Sequence, residues 1–378
     1  MTKSVSRSQA KLTAQALLSQ WTCPISFDSR FLDFVYSICE DVDSSLSNAV
    51  FWSIKAGEYD RLLGISCSAV DYEDNRSFYL DNLLISFIKK YPYWPTSINP
   101  RKEAIKTFIA CELECAKTNT RLLASASSFD SSEVPQIISI ATRKIASILG
   151  EVPAISSLPF EFGPGATFSV KRQTTAIDKL AGALDVTPEA TEQAIELLQN
   201  CPGWLSLHGI AQSDRQRIID CLSVIPGDRL SFVPKTAKTD RPIAIGPTLN
   251  VMIQKGFGSI IRKRLKKSGI NLNRLPDRHR LWARQGSIDG SISTIDLSSA
   301  SDTISWGIVA ALLPHPWLEA LHACRCGRYQ FENKWFEYHK FSAMGNGYTF
   351  ELESLIFYAL AYACAKVKGL DTRDVSSF

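Results

Sequence analysis

The sequence predicts an α+β protein, rich in helix through its first half and mixing short strands with helices beyond Gly227. Apolar residues recur at helical spacing in 101–119, 135–149, 188–200 and 249–268. β-Branched runs bounded by turn residues mark 229–234 and 293–297 as strands. At 378 residues the chain exceeds the roughly 250–300 at which a single core stops growing, so two or more subdomains are expected.

The elements follow in order. Asn99-Pro100 starts a helix that places Ile105, Phe108 and Ile109 on one face. The serine-rich stretch 124–133 is the clearest linker. The helix after it has Pro135 in its first turn, Ile138, Ala141, Ile145 and Ile148 at helical spacing, and Gly150 as its stop. Thr187-Pro188 opens another, which Cys201-Pro202-Gly203 breaks. A strand over 229–234 precedes a basic amphipathic helix, 249–268, closed by Gly269. The strand 293–297 ends beside Ser298 and Ser299, either suited to cap a helix running to about Leu313. The run 350–367 is apolar on most sides, hence a buried helix, and 375–378 reads as the start of another strand.

Composition is that of a soluble globular protein, 45% hydrophobic and 21% charged. No apolar run reaches the roughly 18 residues of a membrane span, and MTKSVSRSQAK lacks the apolar core of a signal segment. Ten scattered cysteines favour free thiols in a reducing cytoplasm over a disulfide framework. The net charge of +4 conceals an asymmetry: 233–285 holds thirteen basic residues against Asp240 and Asp277, so that segment carries +11 and the remainder −7. Such a block suits a polyanion, although a solvated helix face would look the same.

Four segments could carry chemistry. In STIDLSSASD, a carboxylate at a strand end, Asp296, is followed by Asp302; hard Mg²⁺ takes one or two such carboxylates together with substrate phosphates. On those residues alone a capped helix start is the plainer reading. In SFVPKTAKTDRP, Lys235, Lys238 and Arg241 recur every third residue between prolines and can neutralise a triphosphate, or simply face solvent. In FSAMGNGYTFELE, Gly345 and Gly347 flank Asn346 and permit close backbone approach to a ligand, or an ordinary loop before a helix. FGPGAT, 162–167, lacks the Lys-Ser/Thr ending of a phosphate-binding loop and reads as a structural turn. His322, Cys324 and Cys326 fit zinc spacing poorly, and Cys111 and Cys115, one helical turn apart, read as packing residues.

In this order the segments resemble the catalytic replicase subunit of the small positive-strand RNA bacteriophages, the levivirus-like group. The similarity runs from VPKTAKTDRP through LNVMIQKGFGSIIRKRLKKSGINLN and RQGSIDGSISTIDLSSASDTIS to FSAMGNGYTFELESLIFYAL, and more weakly through FGPGAT and CELECAKTNTRL. The resemblance implies a right-hand RNA-directed RNA polymerase: a helical amino-terminal region 1–123, fingers 124–292 with the basic segment 227–285, and part of a palm, 293–378. It makes Asp296 a metal-binding carboxylate, and Asp302, with Ser298 or Ser301 nearby, a reader of the incoming ribose. Lys235, Lys238 and Arg241 would hold the triphosphate, and Ser342, Gly345, Asn346 and Thr349 would support template and nascent base pair. Arg262, Lys263, Arg264, Lys266 and Lys267 would track RNA phosphates without reading sequence.

It further implies two Mg²⁺ ions, with Mn²⁺ as a substitute, RNA and NTPs as ligands, and the bacterial host cytoplasm as location. Host translation elongation factors Tu and Ts and a ribosomal protein would be partners. Such enzymes carry a second metal-binding element, an aromatic residue before Gly-Asp-Asp, after the long helix. This sequence ends at Phe378, where that aromatic would stand, so a fragment without polymerase activity is expected. A non-catalytic RNA-binding protein and a related palm enzyme such as a reverse transcriptase are the alternatives.

Overall fold

The computed structural model describes residues 29–123, 133–171 and 175–377; the serine-rich stretch falls almost wholly outside them. The chain divides into two compact units. One comprises the chain up to Ile105 together with Val233–Arg241, the other Lys106–Phe232 and Pro242–Phe378.

The first unit is built from α1 (Ser29–Val42), α2 (Ser45–Lys55), α3 (Tyr59–Gly64), α4 (Asn75–Lys90) and the start of α5 (Pro100–Leu123). Side-chain caps set the starts of α2 and α4. Ser44 and Ser47 satisfy each other's backbone N–H groups at 2.9 Å, and the Asp74 carboxylate accepts from Arg76 and Ser77. The core is aliphatic, Val35, Val50, Ile54, Leu62, Leu63, Leu84 and Ile88, closed by an aromatic cluster in which Phe31 stacks on Tyr91. Ala237, from the connection between two later strands, is buried in this core, and its N–H donates to the Lys89 carbonyl at 2.8 Å.

The second unit continues with α6 (Glu133–Leu149), α7 (Ala176–Ala181), α8 (Thr191–Gln199), α9 (Pro202–Leu207), α10 (Arg215–Cys221), α11 (Thr248–Lys267), α12 (Leu275–Asp289), α13 (Trp306–Leu312), α14 (His315–Cys324) and α15 (Thr349–Val367). Helix α11 is its axle. Leu249, Met252, Ile253, Phe257, Ile261 and Leu265 recur at three and four residues and are buried, so one face of α11 packs against α8, α14 and α15. Helix α15 in turn packs along α6. Strands β1 (Leu184–Val186) and β2 (Leu222–Val224) pair in parallel beside α11. A four-stranded sheet, in the order β4 (Asp240–Ile245), β3 (Asp228–Pro234), β5 (Arg328–Phe331), β6 (Lys334–Glu337), completes an α+β arrangement. Its β5–β6 hairpin turns on Glu332 and Asn333, with φ of 48° and 62°, the primed turn that matches strand twist.

Most sequence-predicted elements are present, and four details differ. On α5 the buried stripe is Ala104, Phe108, Cys111 and Cys115, while Ile109 is 50% exposed, beside Leu113 one turn on at 57%. Residues 293–297 form no strand: no described strand lies beside them, and Ile295 is 85% exposed. A β conformation is stabilised by pairing, so the β-branched composition is not enough. The helix expected after Ser298 starts later. A short 3₁₀ turn covers Ala300–Asp302, and Ser305 caps α13 through its hydroxyl, accepting from Ile308 at 3.3 Å. Residues 375–377 are irregular. Among the described residues no helix is long and apolar enough to cross a membrane, and the nine described cysteines are free thiols.

Candidate functional site

Asp296 and Asp302, alike in sequence, are unlike in environment. Asp296 is exposed and, among the described residues, has neither a hydrogen-bond nor an ion-pair partner. Asp302 is held by Lys340, whose ammonium is fully buried and donates to the Asp302 carboxylate at 2.8 Å. The same ammonium lies 3.2 Å from Glu112 and 3.9 Å from the centre of the Phe108 ring. At Glu112 Oε1 the ionic distance is satisfied but hydrogen-bond geometry is not; the other oxygen accepts from the His339 N–H at 2.7 Å.

Helix α5 supplies the back of this cluster. Cys115 donates to the Asp302 carbonyl at 3.6 Å, and Asn119 accepts from Gly307 while donating to the His339 carbonyl. On α15, burial first and then the charge of Asp302 push the Glu353 carboxyl up to about 7. None of Glu112, Asn119, Lys340 and Glu353 was foreseen. The one signal in the sequence was that Glu112 and Asn119, two turns apart, interrupt an otherwise apolar stripe.

The MGNG loop is clamped by its own amide and by two flanking elements. Asn346 accepts from the Ala343 N–H at 2.8 Å and donates to the buried Asp228 of β3 at 3.1 Å. Gly345 adopts φ +114°, and a Cβ there would stand 2.1 Å from the Ala244 carbonyl oxygen on β4. A Cβ on Gly347 would stand 2.6 Å from the Lys255 nitrogen on α11. The two glycines thus permit close approach of protein backbone. Thr349 donates to the Ala343 carbonyl, and Ser342 is buried. Asn346 and Thr349, expected to support template and nascent base pair, both hydrogen-bond to Ala343, and Asn346 also reaches Asp228 of β3. Ser298 lies exposed in the turn after Asp296, and Ser301 is half-buried beside Asp302.

The cations separate into two kinds. Lys235 and Lys238 lie exposed in the connection between β3 and β4, braced where Thr236 accepts from Lys238 and Thr239, and Arg241 is exposed at the start of β4. On α11, Arg262 forks onto Glu351 at 2.6 Å and onto Asn273, and Arg264 lies 5.1 Å above the Trp317 ring with its basicity lowered by burial. These two hold α11 to its neighbours from opposite sides, Arg262 toward Glu351 and Arg264 toward Trp317. Lys263, Lys266 and Lys267 are exposed. Among the described residues no three His, Cys, Asp or Glu side chains converge where they could hold a metal ion. Asp296 fits as a partial ligand set: Mg²⁺ takes one or two protein carboxylates and completes its shell with phosphates and water.

Comparison with known proteins gives the chain a family. The model of the RNA replicase, beta-chain, family matches residues 37–378. The RNA-directed RNA polymerase subunit beta of Escherichia virus Qbeta is 36% identical over 307 residues, 80% of this chain and 50% of that protein. That of Enterobacteria phage SP is 32% identical over 355 residues, 90% of this chain and 58% of that protein. The beta chain of Escherichia phage MS2 is 39% identical over 203 residues, 53% and 36% respectively. This chain belongs to the RNA replicase beta-chain family, and it spans about half the length of the curated relatives it matches.

Two outcomes test this geometry. Lys340→Met strands Asp302 and Glu112 without their shared cation and is expected to cost about 3–5 kcal/mol in denaturant unfolding; adding Asp302→Asn recovers part of the loss. Burial raises Asp228 to about 6, against hydrogen bonds from its neighbours that lower it. A carboxyl raised on folding stabilises below its unfolded value, near 4, and that stability is lost as pH rises through about 6. Asp228→Asn therefore gains on the native protein as pH rises from 4 to 7, measured by the denaturant midpoint at each pH.

Proposed function

We propose that this chain forms the fingers and part of the palm of a right-hand RNA-directed RNA polymerase that replicates a positive-strand RNA genome. The observation that carries the reading is the contrast at 296–302. One carboxylate is left free and open to solvent, while the second, six residues on, is fixed by a buried lysine. A free carboxylate is what a nucleotidyl-transfer site needs from the protein. The fixed one suits hydrogen bonding to a ribose, where position matters more than charge.

Asp296 is the residue that would hold Mg²⁺, or Mn²⁺ in its place. Bound there, the metal supplies charge neutralisation at the transferring phosphoryl group. Lys235, Lys238 and Arg241 bind the triphosphate and offset charge on the departing pyrophosphate. Lys263, Lys266 and Lys267 follow the RNA backbone, a role narrowed here from five cations to three by the internal engagement of Arg262 and Arg264. Host elongation factors Tu and Ts and a ribosomal protein belong to the same proposal, as does the bacterial cytoplasm, without assigned contact residues.

Nucleotide incorporation on an RNA template tests the reading, in a replicase of full family length containing these residues. Asp296→Asn is expected to lower incorporation by at least about 100-fold, the scale of losing a transition-state charge contact, with RNA affinity unchanged. Retained synthesis sinks the metal role, and preference for deoxyribonucleotides favours a reverse transcriptase. Lys263→Gln with Lys266→Gln is expected to reduce the salt slope of single-stranded RNA binding by about 1.4, roughly 0.7 per phosphate contact. An unchanged slope removes that face from the RNA path.

A further inference from the structure

The glycine turn FGPGAT, which sequence marked only as structural, lines a cavity of about 320 Å³ together with Gly345, Asn346 and Gly347 of the MGNG loop. Three charged side chains line it: Glu161, Lys179 and Lys255. Lys179 is 1% exposed, and its partners are the Gly163 carbonyl and the Phe162 ring. Among the described residues it has no carboxylate. Lys255 pairs with Glu161 at 3.2 Å, but Glu161 is 61% exposed and can leave into solvent. Burial, then the charge of Lys255, lowers the basicity of Lys179, so two cations press on one space.

The walls are fixed independently of any ligand. Thr248 donates through its hydroxyl to Thr167 at 2.8 Å and through its N–H to Asp185 at 3.0 Å, and Phe168 donates to the Gly246 carbonyl. In the MGNG loop the Gly347 N–H donates to Gln254 at 2.9 Å. A buried ammonium without a counter-ion is costly, and an anion entering a preformed cavity relieves that cost. The volume, near the lower end of small-molecule pockets, accommodates a phosphate and its adjoining sugar.

We propose that this cavity is an anion site for a phosphate group, bound by Lys179 and Lys255 between the two glycine loops. Each ammonium retains donors for phosphate oxygens, since Lys179 has three and its carbonyl partner takes one. That the phosphate comes from RNA rests on the polymerase reading; the site itself does not. Occupancy would couple the FGPGAT turn to the MGNG loop through one ligand.

The test is inorganic phosphate titrated at constant ionic strength into this chain, labelled selectively at glycine, with the amide resonances of Gly163, Gly165 and Gly347 followed by NMR. Saturable shifts are expected, with affinity reduced on the order of tenfold in Lys255→Gln, the scale of one charge-assisted contact. Lys179→Gln is expected to abolish the shifts; should it fail to fold, Lys255→Gln carries the test. Glycine amides that do not move, or that move equally in wild type and Lys255→Gln, overturn the proposal. A single-stranded RNA oligonucleotide is then added to the phosphate complex. Competition identifies the backbone phosphodiester as ligand, and its absence identifies a free phosphate; either supports the site. Binding is read without catalysis, so failure here leaves the incorporation test of Asp296 untouched.

Discussion

One buried ammonium organises the region on which the functional reading depends. Lys340 brings together a carboxylate from α5, the turn that follows Asp296 and the segment that leads into the MGNG loop. A fully enclosed lysine would be expensive alone; two carboxylates and an aromatic face make it tolerable. Such an arrangement contributes less to net stability than to uniqueness, since any displacement of one segment leaves a charge uncompensated. The order of Asp302, and with it the geometry of the loop bearing Asp296, is thus a consequence of residues far away in sequence.

The MGNG loop shows the same logic in neutral form. Asn346 and Thr349 hold Ala343, Asn346 also ties the loop to Asp228 of β3, and the glycines are pressed against backbone on two sides, so the loop is braced in place. Rigid positioning is what catalysis by orientation demands. Residues that resemble ligand contacts in sequence can therefore also build the platform.

Elements whose stability is local were legible in sequence. Helices α6, α11 and α15 follow from periodicity, proline and glycine placement, and the exposed cations of the 233–241 connection from charge alone. What escaped was everything decided by a distant partner. Residues 293–297 have strand composition but no described pairing strand, and Ser305 caps α13 where Ser298 or Ser299 looked adequate. Arg262 and Arg264 read as part of a polyanion face because a linear count of charge cannot see which side of a helix meets Glu351 or Trp317. Asp296 and Lys235, Lys238 and Arg241 are exposed, so their charge reads the same in sequence as in the fold. Lys340, Asp228 and Lys179 were invisible because burial gives an ordinary residue its significance.

The open stretch around Ile295 and Leu297 has a consequence for handling the protein. Two large apolar side chains stand in solvent, 85% and 48% exposed, on a segment whose backbone pairs with no described strand. Unpaired backbone flanked by exposed apolar side chains is the kind of segment that invites strand addition. Asp296 sits between those two residues as the single charge of the three, and a charge placed in an apolar run disfavours such pairing whatever else the carboxylate does.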